Sequence, residues 1–361
     1  MKNLLLILFI LQTCTVDIYP QEWIENDVTK FLKKKWVYDV YLQNETAWIL
    51  THKGLYKYFN GKFENYLLDS LSSGPISQYR SVKEQNNDEF SGLTGNNSIL
   101  WIISNNGKVI LKLTNDTLIN IKPDLLGDIR FGINEYCIDE KGTLWFSYSE
   151  QDTTQKDEYF GFKDKYKLAH YNGTGFSIYP VPEHLSRKLF YSFIVHKNTF
   201  YFLCPHYENE RGINNSFFYV LKNSFLDSIS LGTGLGIRPQ IYFKNDTVLV
   251  INDNDKVFII SDNKIVDTIK LIEIGLSFKS ELTLLNDNIY VTSWKGLYIY
   301  NLQTKKYRLT KPYDYDDNCF SNFDAIRYNL PNNQLWLLYG GALITDRYDY
   351  CHFGLSVYQL K

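Results

Sequence analysis

Positive charge is not in excess in this 361-residue chain: 38 Lys and Arg stand against 40 Asp and Glu, a formal net charge of -2. Without a basic stripe to neutralise phosphates, nucleic-acid binding is not expected. Lys33-Lys34-Lys35 is too short to change that. Long apolar runs are also missing, since Leu4 to Leu11 holds eight residues and cannot span a bilayer. The six histidines, at 52, 170, 184, 196, 206 and 352, lack the spacing of metal ligands, so neither metal nor cofactor is expected. Gly232-Thr233-Gly234-Leu235-Gly236 has glycines like a dinucleotide loop, yet it precedes Pro239 and a strand instead of opening a helix, and reads as a linker.

What the chain does have is a sentence repeated seven times: an Asn- or Gly-centred turn, a small polar residue, then an aromatic or bulky apolar pair. The copies run through Asn44 to Trp48, Asn96 to Trp101, Lys141 to Trp145, Asn198 to Tyr201, Asn245 to Leu249, Asn286 to Tyr290 and Asn332 to Trp336. The anchors 48, 101, 145, 201, 249, 290 and 336 are 53, 44, 56, 48, 41 and 46 residues apart. A period of this size, with short alternating strands and no helical pattern, predicts an all-β, seven-bladed β-propeller.

The first unit shows the four strands. Trp36 to Leu42 turns at Asn44-Glu45, Ala47 to Leu50 returns, Gly54 to Tyr58 alternates, and Asn60-Gly61 makes a tight hairpin into Phe63 to Leu67. A lone meander cannot bury both faces, so seven must pack around an axis. The 16% aromatic content suits sheet faces packed on sheet faces. The seventh unit ends with Gly354 to Tyr358 as its third strand and lacks a fourth. Glu22 to Glu25 belongs to no complete unit, and is expected to close the ring as the outer strand of the last blade, with Asp27 to Lys35 as a helical link.

Lys2, the apolar run and the polar residues after it read as an export signal over 1–20, leaving 21–361 as one propeller domain. The expected location is periplasmic, cell-surface or secreted. Leu11-Gln12-Thr13-Cys14 offers an alternative to cleavage, a lipid anchor at Cys14. Export permits a disulfide between Cys319 and Cys351, which fall on one predicted face, while Cys137 and Cys204 read as buried thiols. The Asn-x-Ser/Thr triplets at Asn44, Asn96, Asn115, Asn172, Asn214 and Asn245 fall mostly on hairpin turns, where backbone reasons alone favour them.

The units resemble the two-component-regulator type of propeller repeat. Asp139 to Trp145 is similar to the first half of that repeat, and Thr51 to Tyr56 and Thr292 to Tyr298 to the second. The resemblance implies an extracytoplasmic sensing propeller, here without attached signalling domains. Asp139 to Trp145 also resembles the Asp-box of sialidase propellers, but Asp139 stands three residues before Gly142 instead of two, and a hairpin turn with a packed Trp is expected.

Function is expected where the repeat is interrupted, because loops on a rigid ring collect binding groups. Three insertions between second and third strands, Ser149 to Lys165, Pro205 to Asn214 and Tyr339 to Phe353, should emerge on one face. With the equivalent connections of units one and six they bring His52, Lys53, Tyr159, His206, Arg211, Trp294, Arg347, Tyr350 and His352 as candidate ligand or partner contacts. Rings beside charged groups suit a glycan, a peptide or an envelope protein. No catalytic residue is singled out, and a binding propeller is the first reading. A hydrolase or lyase acting on a saccharide or small molecule at the central channel is the second.

Overall fold

The computed structural model describes residues 23–32, 37–51, 54–65, 90–104, 109–115, 117–121, 133–157, 161–186, 192–207, 214–222, 225–234, 240–244, 247–252, 256–270, 281–293, 296–311, 321–341 and 354–360. They form seven four-stranded antiparallel sheets arranged as a propeller. Six blades are meanders in chain order, and the seventh takes its outer strand from the other end of the chain. Trp23 pairs with Tyr358 and Ile24 with Val357, so the ring closes as the sequence predicts.

Turn chemistry sets the strands. Asn44, Asn60, Asn115, Asn286 and Asn333 all hold positive φ, between 48° and 52°, which Asn tolerates better than most residues. Asp139 organises a longer turn: its Oδ1 accepts from the N–H groups of Lys141 and Thr143, and its Oδ2 from Trp145 Nε1 at 3.2 Å. This is the packed-Trp hairpin expected there. The second strands Thr46–Thr51, Ile99–Ser104 and Asn288–Ser293 are almost wholly buried. Each is sandwiched between neighbouring blades, so it reads as a continuous apolar run.

The blades are joined by apolar clusters, one at each junction. Between blades 4 and 5, Leu203, Phe218 and Val220 meet Ile241, Val248, Val250 and Phe258. Between blades 7 and 1, Trp336, Leu338, Leu355 and Val357 meet Val40, Ala47 and Ile49, with Val28 and Leu32 of a short helix, Asp27–Leu32, wedged among them. That helix starts on a reciprocal cap, with the N–H of Thr29 donating to Asn26 Oδ1 and the N–H of Asn26 to Thr29 Oγ1. At the rim bearing the first turns, Gln43 Nε2 donates to Asn96 O at 2.8 Å and Trp101 Nε1 to Gly142 O at 3.1 Å, each crossing to the next blade.

Two of the insertions differ from the loops expected for them, and residues 342–353 of the third lie outside the described residues. In blade 3 the second and third strands run on as a twisted ribbon, Leu144–Asp157 against Gly161–Tyr171, paired out to Asp157 opposite Gly161. In blade 4, Thr199–Tyr207 pairs with Asn214–Lys222 out to Tyr207 opposite Asn214. Both segments continue the sheet because continued pairing satisfies backbone groups that a loop would leave to water. Cys204 is buried and Cys137 half-buried.

Candidate functional site

The first strand of each blade lines the central channel. In register, the residue opposite the second position after each anchor forms a ring: Asp39 faces Leu50, Gly92 faces Ile103, Glu135 faces Ser147, Ser192 faces Leu203, Gln240 faces Ile251 and Ala325 faces Leu338. Glu281 holds the place in blade 6, where its carbonyl accepts the N–H of Thr292. Leu50 and Ile103 lie one residue from the end of their strands, so the ring sits near one face. It is the face from which the ribbons of blades 3 and 4 project. Ser149 to Asp157 carries blade 3 nine residues farther, roughly 30 Å of extended chain.

Arg327, two residues after Ala325, is the cation between two ring carboxylates, Glu281 and Asp39. Its Nη1 donates to Glu281 Oε2 at 2.6 Å and to Ile326 O at 3.0 Å, its Nη2 to Asp39 Oδ1 at 3.1 Å, and its Nε to Val40 O at 3.0 Å. Asp39 also accepts the N–H groups of Val40 and Leu93, both at 2.8 Å. The side chains of Arg327 and Glu281 are each 28% exposed, so the channel reaches both, whereas Asp39 is 8% exposed and faces inward. Burial works against the Arg327 charge, but Glu281 and Asp39 outweigh it and push its pKa further up. The guanidinium is therefore permanently charged.

Tyr136 completes the group. Its hydroxyl lies over Gly92, where a Cβ would come within 1.7 Å of the phenol oxygen, so only glycine fits beneath it. Burial, then the Asp39 carboxylate, pushes the Tyr136 phenol well above its ordinary range, and it stays protonated as a donor. Burial also pushes Tyr41 up to about 12. The arrangement offers a confined polar mouth with two kinds of donor and fixed carboxylates. It shows no nucleophile held by a base.

Of the sequence-predicted contacts, His206 alone has a described backbone position. His52, Lys53, Tyr159, Arg211, Trp294, Arg347, Tyr350 and His352 lie outside the described residues, as do Cys319, Cys351 and Cys14. His206 is placed on the second strand of blade 4 opposite Asn215, with nothing described of its side chain. The ring was not anticipated, although its signal is in the sequence. A position nine residues before the anchor holds Asp39, Gly92, Ser192, Gln240 and Glu281, and longer first turns move it to ten and eleven for Glu135 and Ala325. Among the described residues no helix is long and apolar enough to cross a membrane, and no group of three or more His, Cys, Asp or Glu could hold a metal ion.

No protein-family model matches the chain, and no curated protein matches it. Among solved structures it is similar to YCF48 bound to D1 peptide, at 12% identity and a TM-score of 0.58, over 95% of this chain and 97% of that one. It is also similar to the AfRom2 CNH domain, at 11% identity and a TM-score of 0.48, over 92% and 96% of the two chains. The extracellular domain of BT4673 from B. thetaiotaomicron is 12% identical with a TM-score of 0.39, and the match covers 89% of this chain and 52% of that one. At such identities the likeness is one of fold.

Proposed function

We propose that the chain is an exported binding propeller of the two-component-regulator type, which senses or scaffolds by holding a peptide, glycan or envelope protein across one face. The observation that carries this reading is the coincidence of two features on one side of the ring. The ribbons of blades 3 and 4 rise there, and the ring of first-strand positions that holds the part-exposed Arg327 and Glu281 pair lies near it. A raised wall beside a polar mouth gives a ligand both area and orientation. The peptide carried by the YCF48 propeller supports the same use of the fold. Trp294, His52, Lys53, Tyr159, His206, Arg211, Arg347, Tyr350 and His352 are proposed as contacts, residues 1–20 as a leader, and Cys319 with Cys351 as a disulfide.

The test uses the mature chain on defined peptide and glycan arrays. The double variant Trp294→Ala, Arg347→Ala should lose at least about tenfold in retention of any ligand found, the scale of one or two interface anchors. Unchanged retention of every captured ligand overturns the assignment of this face.

A further inference from the structure

The first strand of a propeller blade has a hydrogen-bonded neighbour on one side only. Its other edge faces the channel, so alternate N–H groups there need acceptors from elsewhere. The ring positions supply them across the junctions. Asp39 Oδ2 accepts from Leu93 N at 2.8 Å, Ser192 Oγ from Ile241 N at 3.4 Å, and Glu281 Oε2 from Ile326 N at 3.2 Å. The three recipients are equivalent, since Leu93, Ile241 and Ile326 lie opposite Ile102, Val250 and Leu337, each the residue just after its anchor. At these three junctions a side chain of one blade thus caps the same N–H of the next.

Gly92 in blade 2 and Ala325 in blade 7 carry no side-chain oxygen at the ring position, and the second of these stands at the junction of blades 7 and 1. The equivalent N–H of blade 1, that of Val40, is capped by its own neighbour Asp39. The link is made instead from Arg327, which reaches Val40 O and Asp39 in blade 1 while holding Glu281 in blade 6. Through Asp39 the same network continues to Leu93 in blade 2. A single guanidinium ties the blades on both sides of the point where the chain ends meet.

Outside this contact the seam is held by a strap, residues 23–32. Its strand is two residues long, against four to ten for the outer strands of the other blades. Trp23 Nε1 donates to Thr310 Oγ1 of blade 6 at 2.7 Å, and the Phe31 ring stacks on Phe63 of blade 1 at 3.8 Å. We infer that Arg327 is the inner latch of ring closure, and that the propeller opens at the junction of blades 7 and 1 before it opens anywhere else. Ligand capture is not needed for this, so the inference stands apart from the proposed function.

Hydrogen exchange on the full chain, read by mass spectrometry, tests it. In graded denaturant, segments 37–43 and 321–329 of the unaltered protein should lose protection before 192–196 and 240–244; the reverse order, or simultaneous loss, overturns the inference. Arg327→Met should speed exchange in 37–43 and 321–329 by at least about tenfold and leave 240–244 unchanged, because the two carboxylates that lose their partner flank blade 7 and neither touches the junction of blades 4 and 5. Equal acceleration of all first strands, or none, overturns the latch. Should that variant fail to fold, Arg327→Lys is read the same way, since it keeps the charge but not the planar fork that spans Glu281 and Asp39.

Discussion

The junction of blades 4 and 5 and the junction of blades 7 and 1 do the same mechanical work with different materials. At the first, apolar side chains from both blades meet and one hydroxyl, Ser192, crosses near the channel. At the second there is a comparable apolar layer, but a strap is added outside and a charged latch inside. Sequence separation accounts for the difference. Ser192 and Ile241 are 49 residues apart, Asp39 and Arg327 are 288 apart. Closing the longer loop costs roughly 1.5 kcal/mol more, because the cost grows only as the logarithm of length. One extra charge-assisted hydrogen bond offsets that amount.

The sharpest way to break the comparison is to cut the apolar layer at both junctions. Phe218 is fully buried between blades 4 and 5, and Trp336 is 2% exposed between blades 7 and 1. Phe218→Ala and Trp336→Ala should each lower the unfolding free energy by about 3–5 kcal/mol, measured by urea denaturation. If Trp336→Ala cost less than about 1 kcal/mol, the seam would rest on strap and latch alone, and the two junctions would not share a common layer.

Smaller changes separate the clasps themselves. Asp39→Asn keeps one carbonyl oxygen for two backbone donors, Val40 and Leu93, and withdraws a charge from Arg327. The loss should be about 1–3 kcal/mol. Ser192→Ala removes one neutral bond at 3.4 Å and should cost no more than about 1 kcal/mol. Equal losses would mean that the charged clasp adds nothing over the neutral one.

The repeat was legible because turn residues and anchors recur at a nearly fixed period, and burial of the second strand on both faces writes itself as runs such as Ile99 to Ile103. Closure by Trp23 and Ile24 was legible because the last unit visibly lacks a strand. The ribbon in blade 3 was not, since Glu150 to Asp157 is polar throughout and polar stretches read as loops. Its strands are held by cross-strand backbone bonds, which leave no hydrophobic alternation behind. Arg327 was missed for another reason: its partners lie 46 and 288 residues away, and only the register of the folded ring brings Glu281 and Asp39 to it.

The junction of blades 3 and 4 gives the smallest effect and a third material, a ring that titrates. His170 stacks on Trp145 at 4.4 Å, and Trp145 meets the edge of Phe200 in blade 4 at 4.8 Å. Burial lowers the His170 pKa below its ordinary 6.5, with Asp139 opposing the shift only in part, and its buried Nδ1 has no hydrogen-bond partner among the described residues. The folded state therefore binds a proton less readily than the unfolded chain, so stability is full above pH 6.5 and declines as pH falls through the interval between 6.5 and the lowered folded value. Replacing the imidazole with a ring that cannot be protonated, His170→Phe, should flatten that part of the profile while keeping the stacking on Trp145. Thermal melts of both proteins across this interval measure it. If the variant keeps the full acid slope of the unaltered protein, His170 does not make this junction conditional on pH, and junctions 3–4 and 4–5 are alike.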